Sequence, residues 1–510
     1  MQNSKIAIID IGSNTVRLVI YHMRYGSFEE CENIKAPIRL RTYLNSDNEL
    51  SETGIELLIS VLNSFKEVID YHQVEHTDCT ATAAVRQAAN KEELIGKAKE
   101  QTGFHIRVLS GEEEAYFGLS AVTKTLPIEN GLIVDMGGGS TEITCFKNRE
   151  LQHTFSFPFG VVSLKEQFIK GNRMTECERD QLVSYVLNEF SQFPWLDSGA
   201  DKVVAIGGSA RNLAKVSQLK KAYPNIGIHG YEIDADEFTE LHKELSVQTY
   251  EELEKVDGLS KERADLILPA LEVFYQLLKY SRSSALAVSS RGLRDGLILE
   301  QMPGVSWETL HQVKQNGTMR IVKSYQLNEA HHHQMQFILS ELLSQFTHEH
   351  LFDVAEDDQF FLEQAASLFY LGEYISSSSK SQHTFYLLTN STLDGYSHKE
   401  KVKMALVASF TNYSTLKQYI SSYDNWFTKE EIQQMREWGA LLKLCFSLNS
   451  SKRNVVKRLK LTAGKEGLLK IKVFCERDYL SEKYQSDKQK KHLEKVLQRT
   501  IQLDFSKIDD

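Results

Sequence analysis

Two short stretches carry residue types suited to phosphate chemistry: Asp10-Ile11-Gly12-Ser13-Asn14 and Asp135-Met136-Gly137-Gly138-Gly139-Ser140-Thr141. Each follows an apolar run ("KIAIID", "GLIVDM") and precedes an alternating one ("TVRLVIY", "TEITCF"), so each reads as strand, tight turn, strand. Glycine lets such a turn bend until successive N–H groups face one anion, and Ser13, Asn14 and Ser140 add polar side chains. Ungapped alignment lays Asp10 on Asp135 and Gly12 on Gly137, as a duplicated domain would. The two turns are expected to be paired phosphate cradles. A third, Gly207-Gly208-Ser209, joins a buried strand, "VVAI", to a helical segment. It is either a helix N-terminus offered to phosphate or a plain strand-to-helix turn.

Acidic residues stand beside these turns. In "SGEEEA" (110–115), Ser110 and Glu113 have the spacing of a capping box, which occupies Glu113 with the backbone and leaves Glu114 free to act. A carboxylate beside a bound phosphoryl group can orient and deprotonate a water, the role expected of Glu114. Asp10, Asp135 and Glu142 would repel phosphate unless a cation intervened, and Mg²⁺ takes such hard oxygen ligands. Arg86, in "ATAAVRQA", is either a phosphate clamp or a helix-surface arginine. The triplet His331-His332-His333 lies in a helical pattern where only some of the three can face one way, so a solvated or structural role is expected.

The elements that must hold these residues follow an α/β plan. Residues 1–123 read as three strands, a helix, a strand and a helix; "LPIENG" (126–131) marks a boundary, and the plan restarts over 124–304. Long helical periodicities with few glycines fill 305–445. Residues 446–510 form an appendage in which two alternating runs flank "AGKEG" and "SDKQKKHLEKVLQRTI" reads as a terminal helix. Residues 451–475 hold eight Lys/Arg against one Glu, and their alternation makes those charges the solvated face of a strand pair; a positive track for a long anionic polymer is a further expectation for 452–472.

A chain of 510 residues exceeds one ordinary core, so several domains are expected. The formal charge of −10 disfavours general nucleic-acid binding, so an anionic substrate must be held locally. The six cysteines form no CxxC pair, which argues against zinc and disulfide frameworks. No apolar stretch approaches the ~20 residues of a membrane helix, and the chain enters a strand at once, so neither signal peptide nor membrane span is expected and a reducing cytoplasm fits.

Taken together, "DIGSNTVRLVIY", "ATAAVRQA", "SGEEEA", "DMGGGSTEI", "AIGGSARNLA" and "SSRGLRDGLIL" resemble, in order and over residues 1–300, the exopolyphosphatase and guanosine pentaphosphate phosphohydrolase family. The resemblance implies duplicated ribonuclease-H-like domains of the actin, Hsp70 and sugar-kinase type. It implies hydrolysis of inorganic polyphosphate, or of the 5′ terminal phosphate of pppGpp, and a homodimer. It matches Glu114 to the catalytic glutamate and Asp135 and Glu142 to metal- and water-positioning acids. Asp10, Gly12, Ser13, Asn14, Arg86, Gly137, Gly138, Gly139, Ser140, Gly207, Gly208 and Ser209 fall on phosphate-contacting motifs. An ATP-dependent kinase or ATPase of the same superfamily is the rival reading. The helical third domain resembles an HD phosphohydrolase domain, with His331 on its first histidine and a later histidine kept as His383. Phe369 and Tyr370 stand where the His-Asp pair should be, so loss of that metal site is expected.

Overall fold

The computed structural model describes residues 4–508 apart from 25–26, 198, 225–226, 303–304, 353, 424 and 465–466. The chain divides into two compact units, one running to Val313 and the other from Lys314.

The first unit contains two sheets built on one plan. Strands β1 (Ser4–Ile11), β2 (Val16–Arg24) and β3 (Ser27–Ala36) form an antiparallel meander, and β4 (His76–Ala81) and β5 (Ile106–Val108) add parallel to β1, in the order β3-β2-β1-β4-β5. Strands β6 (Gly131–Met136), β7 (Thr141–Lys147), β8 (Glu150–Phe157), β9 (Lys202–Ile206) and β11 (Ala285–Ser289) repeat that order, and β10 (Tyr231–Asp234) adds an antiparallel edge beside β11. The central strands are apolar at nearly every position because both faces are covered. On β1, Ala7, Ile9 and Ile11 meet helix Glu52–Tyr71 through Ile55, Leu58 and Leu62, while Ile8 points to the opposite face, toward Leu297 and Ile298. On β6, Leu132 and Val134 join one core, and Ile133 joins Leu119 and Val122 on the other side.

Two helices cross between the halves. Helix Gly111–Thr123 packs Phe117 on the first sheet's core and Leu119 and Val122 on the second's. Helix Leu293–Glu300, although it follows the second sheet in sequence, lays Leu297 and Leu299 on the core that contains Ile8 and Val19 of the first. They touch where Gly296 lies against the backbone of Phe117. Helix Lys91–Thr102 and strand β5 were not expected from the sequence; the helix has a weak apolar periodicity, buries Leu94 and Ala98, and ends at Gly103 with φ +83°.

The second unit is mainly helical, with helices Glu329–His348, Glu356–Leu368, Lys380–Asn390, His398–Ala408 and Lys429–Leu448. Its sheet pairs β12 (Val456–Ala463) antiparallel to β13 (Leu468–Cys475), and β14 (Thr500–Lys507) parallel to β13. Gln334 and Gln345 donate to carbonyls of Val456 and Leu459 at 2.6 and 3.1 Å, so helix Glu329–His348 covers the β12 edge. The expected terminal helix is corrected. Helices Leu480–Gln489 and Lys491–Leu497 stop at Gln498, φ +52°, and the chain finishes as a strand that buries Ile501 and Leu503. Lys457, Arg458, Lys460, Lys470 and Lys472 are exposed on the strand pair, and Lys465 and Glu466 of its turn lie outside the described residues. No described helix is long and apolar enough to cross a membrane.

Candidate active site

The two glycine turns are the same device made twice. Gly12 N–H donates to Thr15 O at 3.1 Å, and Gly137 N–H donates to Ser140 O at 2.9 Å. In each half the segment after the third strand folds back and takes the loop's carbonyls. Arg39 and Arg41 amides bind Asn14 O and Ser13 O at 2.9 and 3.0 Å; Val161 and Val162 amides bind Gly137 O and Gly138 O at 3.0 and 2.9 Å. Because C=O and N–H of one peptide point opposite ways, drawing the carbonyls to that side turns the N–H side toward the cavity. The return needs glycine at 160, where a Cβ would lie 2.5 Å from Gly137 O.

That cavity, of about 240 Å³, is walled by both loops, by the β4 end at Thr82 and Ala83, and by helix Gly111–Thr123 at Glu114 and Gly118, one turn apart. Asp10, Gly12, Ser13, Asn14, Glu114, Asp135, Gly137, Gly138, Ser140, Glu142 and Gly208 all line it. Gly139, Gly207, Ser209 and Arg86 stand behind the wall: Gly139 lies against the Arg41 guanidinium, and Gly207 takes φ +102° to turn β9 into helix Gly208–Lys220. Ser209 is buried, its hydroxyl without a hydrogen-bond partner among the described residues.

The capping box forms as the spacing predicts. Ser110 Oγ accepts the Glu113 amide at 3.1 Å, and Glu113 accepts the Ser110 amide at 2.8 Å and also pairs with Arg107. The Ser110 amide bond, with Arg107, holds the Glu113 carboxyl below its ordinary range. Glu114 is left to face the cavity, where Arg86 pairs with it while donating to Leu109 O at 2.9 Å. Burial first, then the nearby Glu142 charge, raises the Glu114 carboxyl despite Arg86. Burial and then Glu142 raise Asp135 likewise.

The duplication is not electrostatically symmetric. Asp10 sits opposite Arg17 on β2 and 3.5 Å from Arg294, whereas Asp135 sits opposite Glu142 on β7. The first half balances its acid with arginines; the second sets two carboxylates side by side. Ser156 Oγ donates to one Glu142 oxygen at 2.7 Å. This donor set fits a hard divalent cation, which commonly takes one or two carboxylates and completes its shell with phosphate and water. Among the described residues no group of three or more His, Cys, Asp or Glu converges as an all-protein metal cage.

The sequence reading missed the arginines. Arg263 lines the cavity beside Gly208, held there because Asn212 accepts the Ser260 amide at 2.7 Å while donating to Gly208 O at 2.8 Å. Arg17, Arg211 and Arg263 are each lowered by burial and next by a neighbouring arginine, so these cations crowd one another. Arg211 and Arg294 lie inside the motifs "AIGGSARNLA" and "SSRGLRDGLIL", and Arg17 aligns on Glu142, so these could have been found; Arg263 belongs to no motif.

Of the second unit's histidines, His331 bonds Asn449 at 2.8 Å and His332 is buried; burial pushes both down to about 4, as neutral imidazoles. Tyr370, φ +57°, donates its hydroxyl to Phe410 O at 2.8 Å and packs on Phe369 and Phe446.

A five-strand order made twice, with a glycine turn after the first strand of each half and a carboxylate between the turns, is the architecture of the duplicated ribonuclease-H-like, actin-related class. Residues 19–304 match the Ppx/GppA phosphatase family, and residues 313–491 match the Ppx/GppA phosphatase, domain III. The chain belongs to the Ppx/GppA phosphatase family. It is 26% identical over 409 residues, 78% of each chain, to the guanosine-5'-triphosphate,3'-diphosphate pyrophosphatase of Photobacterium profundum. It is 26% identical over 404 residues, again 78% of each, to the protein of that name from Vibrio cholerae. Among solved structures, the Aquifex aeolicus family member matches with TM-score 0.54 and 29% identity, covering 59% of this chain and 98% of its own. An exopolyphosphatase from Cytophaga hutchinsonii matches with TM-score 0.54 and 25% identity, covering 60% of this chain and 100% of its own.

Proposed function

We propose that this protein is a phosphoanhydride hydrolase that removes the terminal phosphate of inorganic polyphosphate. The carrying observation is the convergence, in one cavity, of two amide-lined turns, Arg263 and the carboxylate of Glu114. Among the described residues the lining consists of glycines, hydroxyl and amide side chains, charged groups, aliphatics and Met136, which answers a chain of phosphates and offers no ring on which to stack a base.

In this reading the N–H sides of the Gly12–Asn14 and Gly137–Ser140 turns hold the last phosphates, and Arg263 offsets their charge. Glu114 takes a proton from a water as its oxygen bonds to the terminal phosphorus, and the anhydride P–O bond breaks in line, leaving on the shortened chain. Arg86 holds the Glu114 carboxylate in place. Asp135 and Glu142 would hold Mg²⁺, which when bound supplies positive charge to the phosphate oxygens.

A second reading, 5′-phosphohydrolysis of pppGpp, is favoured by the names of the bacterial relatives, since both substrates end in the same bond. The test is orthophosphate release by the full chain from long-chain polyphosphate, pppGpp and ATP, with Mg²⁺ and with excess chelator. Polyphosphate consumed fastest, with activity lost on chelation and restored by Mg²⁺, is the expected result. Faster release from pppGpp transfers the substrate assignment to the alarmone, and phosphate transfer from ATP to a co-substrate overturns the hydrolase reading.

A further inference from the structure

A second cavity, of about 610 Å³, lies wholly within the second unit. Helices Lys380–Asn390 and Lys429–Leu448 wall it, and Gln485 and Gln489 reach it from helix Leu480–Gln489. Nothing in the phosphatase chemistry above uses it.

Its charges do not balance. Lys380 Nζ lies 4.3 and 4.5 Å from the ring centroids of Tyr370 and Phe446 and donates to Glu373 at 2.9 Å. The same carboxylate also accepts from Lys452 at 2.6 Å, so Glu373 is already shared between two ammonium groups. Lys443, only 7% exposed, has neutral partners: its Nζ donates to Thr411 O and lies 3.2 Å from His492 Nε2. The charges that act on it are those of Lys491 and Lys380, both positive. Burial and this crowding push Lys443 down to about 8, and His492, half-buried near Lys443, Lys491 and Lys495, down to about 4. A buried ammonium without a carboxylate is costly, and an anion in the adjoining cavity is the natural relief.

We propose that the cavity between Lys380 and Lys443 binds a small organic phosphate. Two ammonium groups match a dianion as point charges, and the hydroxyls of Ser379, Thr415 and Ser450, which also line the cavity, can donate to its remaining oxygens. The volume exceeds that of a phosphate group alone, and Gln485, Gln489 and Tyr419 offer polar contacts to the body that carries it. The site is separate in sequence from the hydrolytic cavity, whose lining ends at Leu293.

The test reads the site directly. The full chain is reductively methylated with formaldehyde and cyanoborohydride near pH 8, and modification of Lys443 is followed by peptide mass spectrometry. The probes are methylenediphosphonate, which no phosphatase cleaves at its P–C–P link, and glycerol 3-phosphate, against acetate and sodium chloride at equal ionic strength. Near pH 8, an anion that raises the Lys443 pKa by one unit from about 8 cuts the neutral amine from about a half to about a tenth, leaving about fivefold less to react. Slowing of that order by the phosphonate and the phosphate ester, lost in Lys380→Met with the circular dichroism spectrum retained, is the expected result. Equal protection by sodium chloride means an ion atmosphere only and overturns the proposal. Equal protection by acetate overturns the phosphate assignment, and protection that survives Lys380→Met removes the two-lysine site.

Discussion

Neighbouring glutamates of one helical turn have different fates because a helix separates successive side chains by about 100°. Glu113 closes the cap and Glu114 faces the cavity. Glu114→Gln is therefore expected to lower orthophosphate release about 10²–10⁴-fold. Glu113→Ala should instead cost about 1 kcal/mol or less of stability and leave most activity, since it removes half of a cap. Steady-state rates and urea midpoints of the two variants check this; equal loss of rate in both would reject the assignment of the base. Gly208 gives a second residue-level prediction. A Cβ there would lie 2.5 Å from the Arg263 guanidinium, the movable end of a long side chain. Gly208→Ala should displace Arg263 with little change in melting temperature, lowering kcat/KM about tenfold to a hundredfold through misplacement. A loss of stability without a loss of rate would contradict it.

At the scale of elements, the position of Glu114 depends on how closely two helices approach. Gly296 on helix Leu293–Glu300 lets the Phe117 backbone of helix Gly111–Thr123 lie against it, and Ser120 Oγ donates to Glu300 at 2.8 Å beside that contact. A Cβ at 296 meets a carbonyl oxygen that cannot swing aside as an arginine can. Gly296→Ala is expected to destabilise the protein by about 1–3 kcal/mol, the usual cost of overpacking, and to lower the rate because the Glu114 helix moves. A denaturant midpoint equal to wild type would refute the contact. The duplicated turns are also an element-scale property. The fold-back at 39–41 and that at 161–162 use unrelated residues, yet each supplies two amides to its loop's carbonyls, and Ser13 O and Gly138 O are equivalent acceptors.

For the whole molecule, a net charge of −10 is compatible with the anion site proposed above because cations are gathered locally, at Arg17, Arg211, Arg263 and Arg294. Every residue lining that cavity lies before residue 294, within the first unit. The Aquifex relative, covered over 98% of its length by 59% of this chain, shows that a protein of about this extent folds. A truncated chain of residues 1–313 is expected to fold cooperatively and to release orthophosphate from short polyphosphate with kcat within about tenfold of the full chain, since no side chain of the site is removed. An inactive but folded fragment would place an essential group beyond Val313.

Local pattern was enough for the parts of this protein that local physics governs. The strand-turn-strand repeat at Asp10 and Asp135 was legible because alternation and glycine report backbone geometry directly, and the cap at Ser110 because a box needs only four consecutive residues. The final strand β14 was masked by a lysine-rich helical periodicity just before it, and its place beside β13 is a non-local pairing. Helix Leu293–Glu300 returns to the first sheet for the same kind of reason: its apolar face fits a surface nearly three hundred residues earlier, and periodicity carries no address. Tertiary structure alone brought Arg263 to Gly208 and set Arg86 on Glu114. Sequence by itself determined which backbone turns exist and which acids adjoin them. Only the folded chain decided which charges meet, because Coulomb and steric terms depend on distances that pattern does not encode.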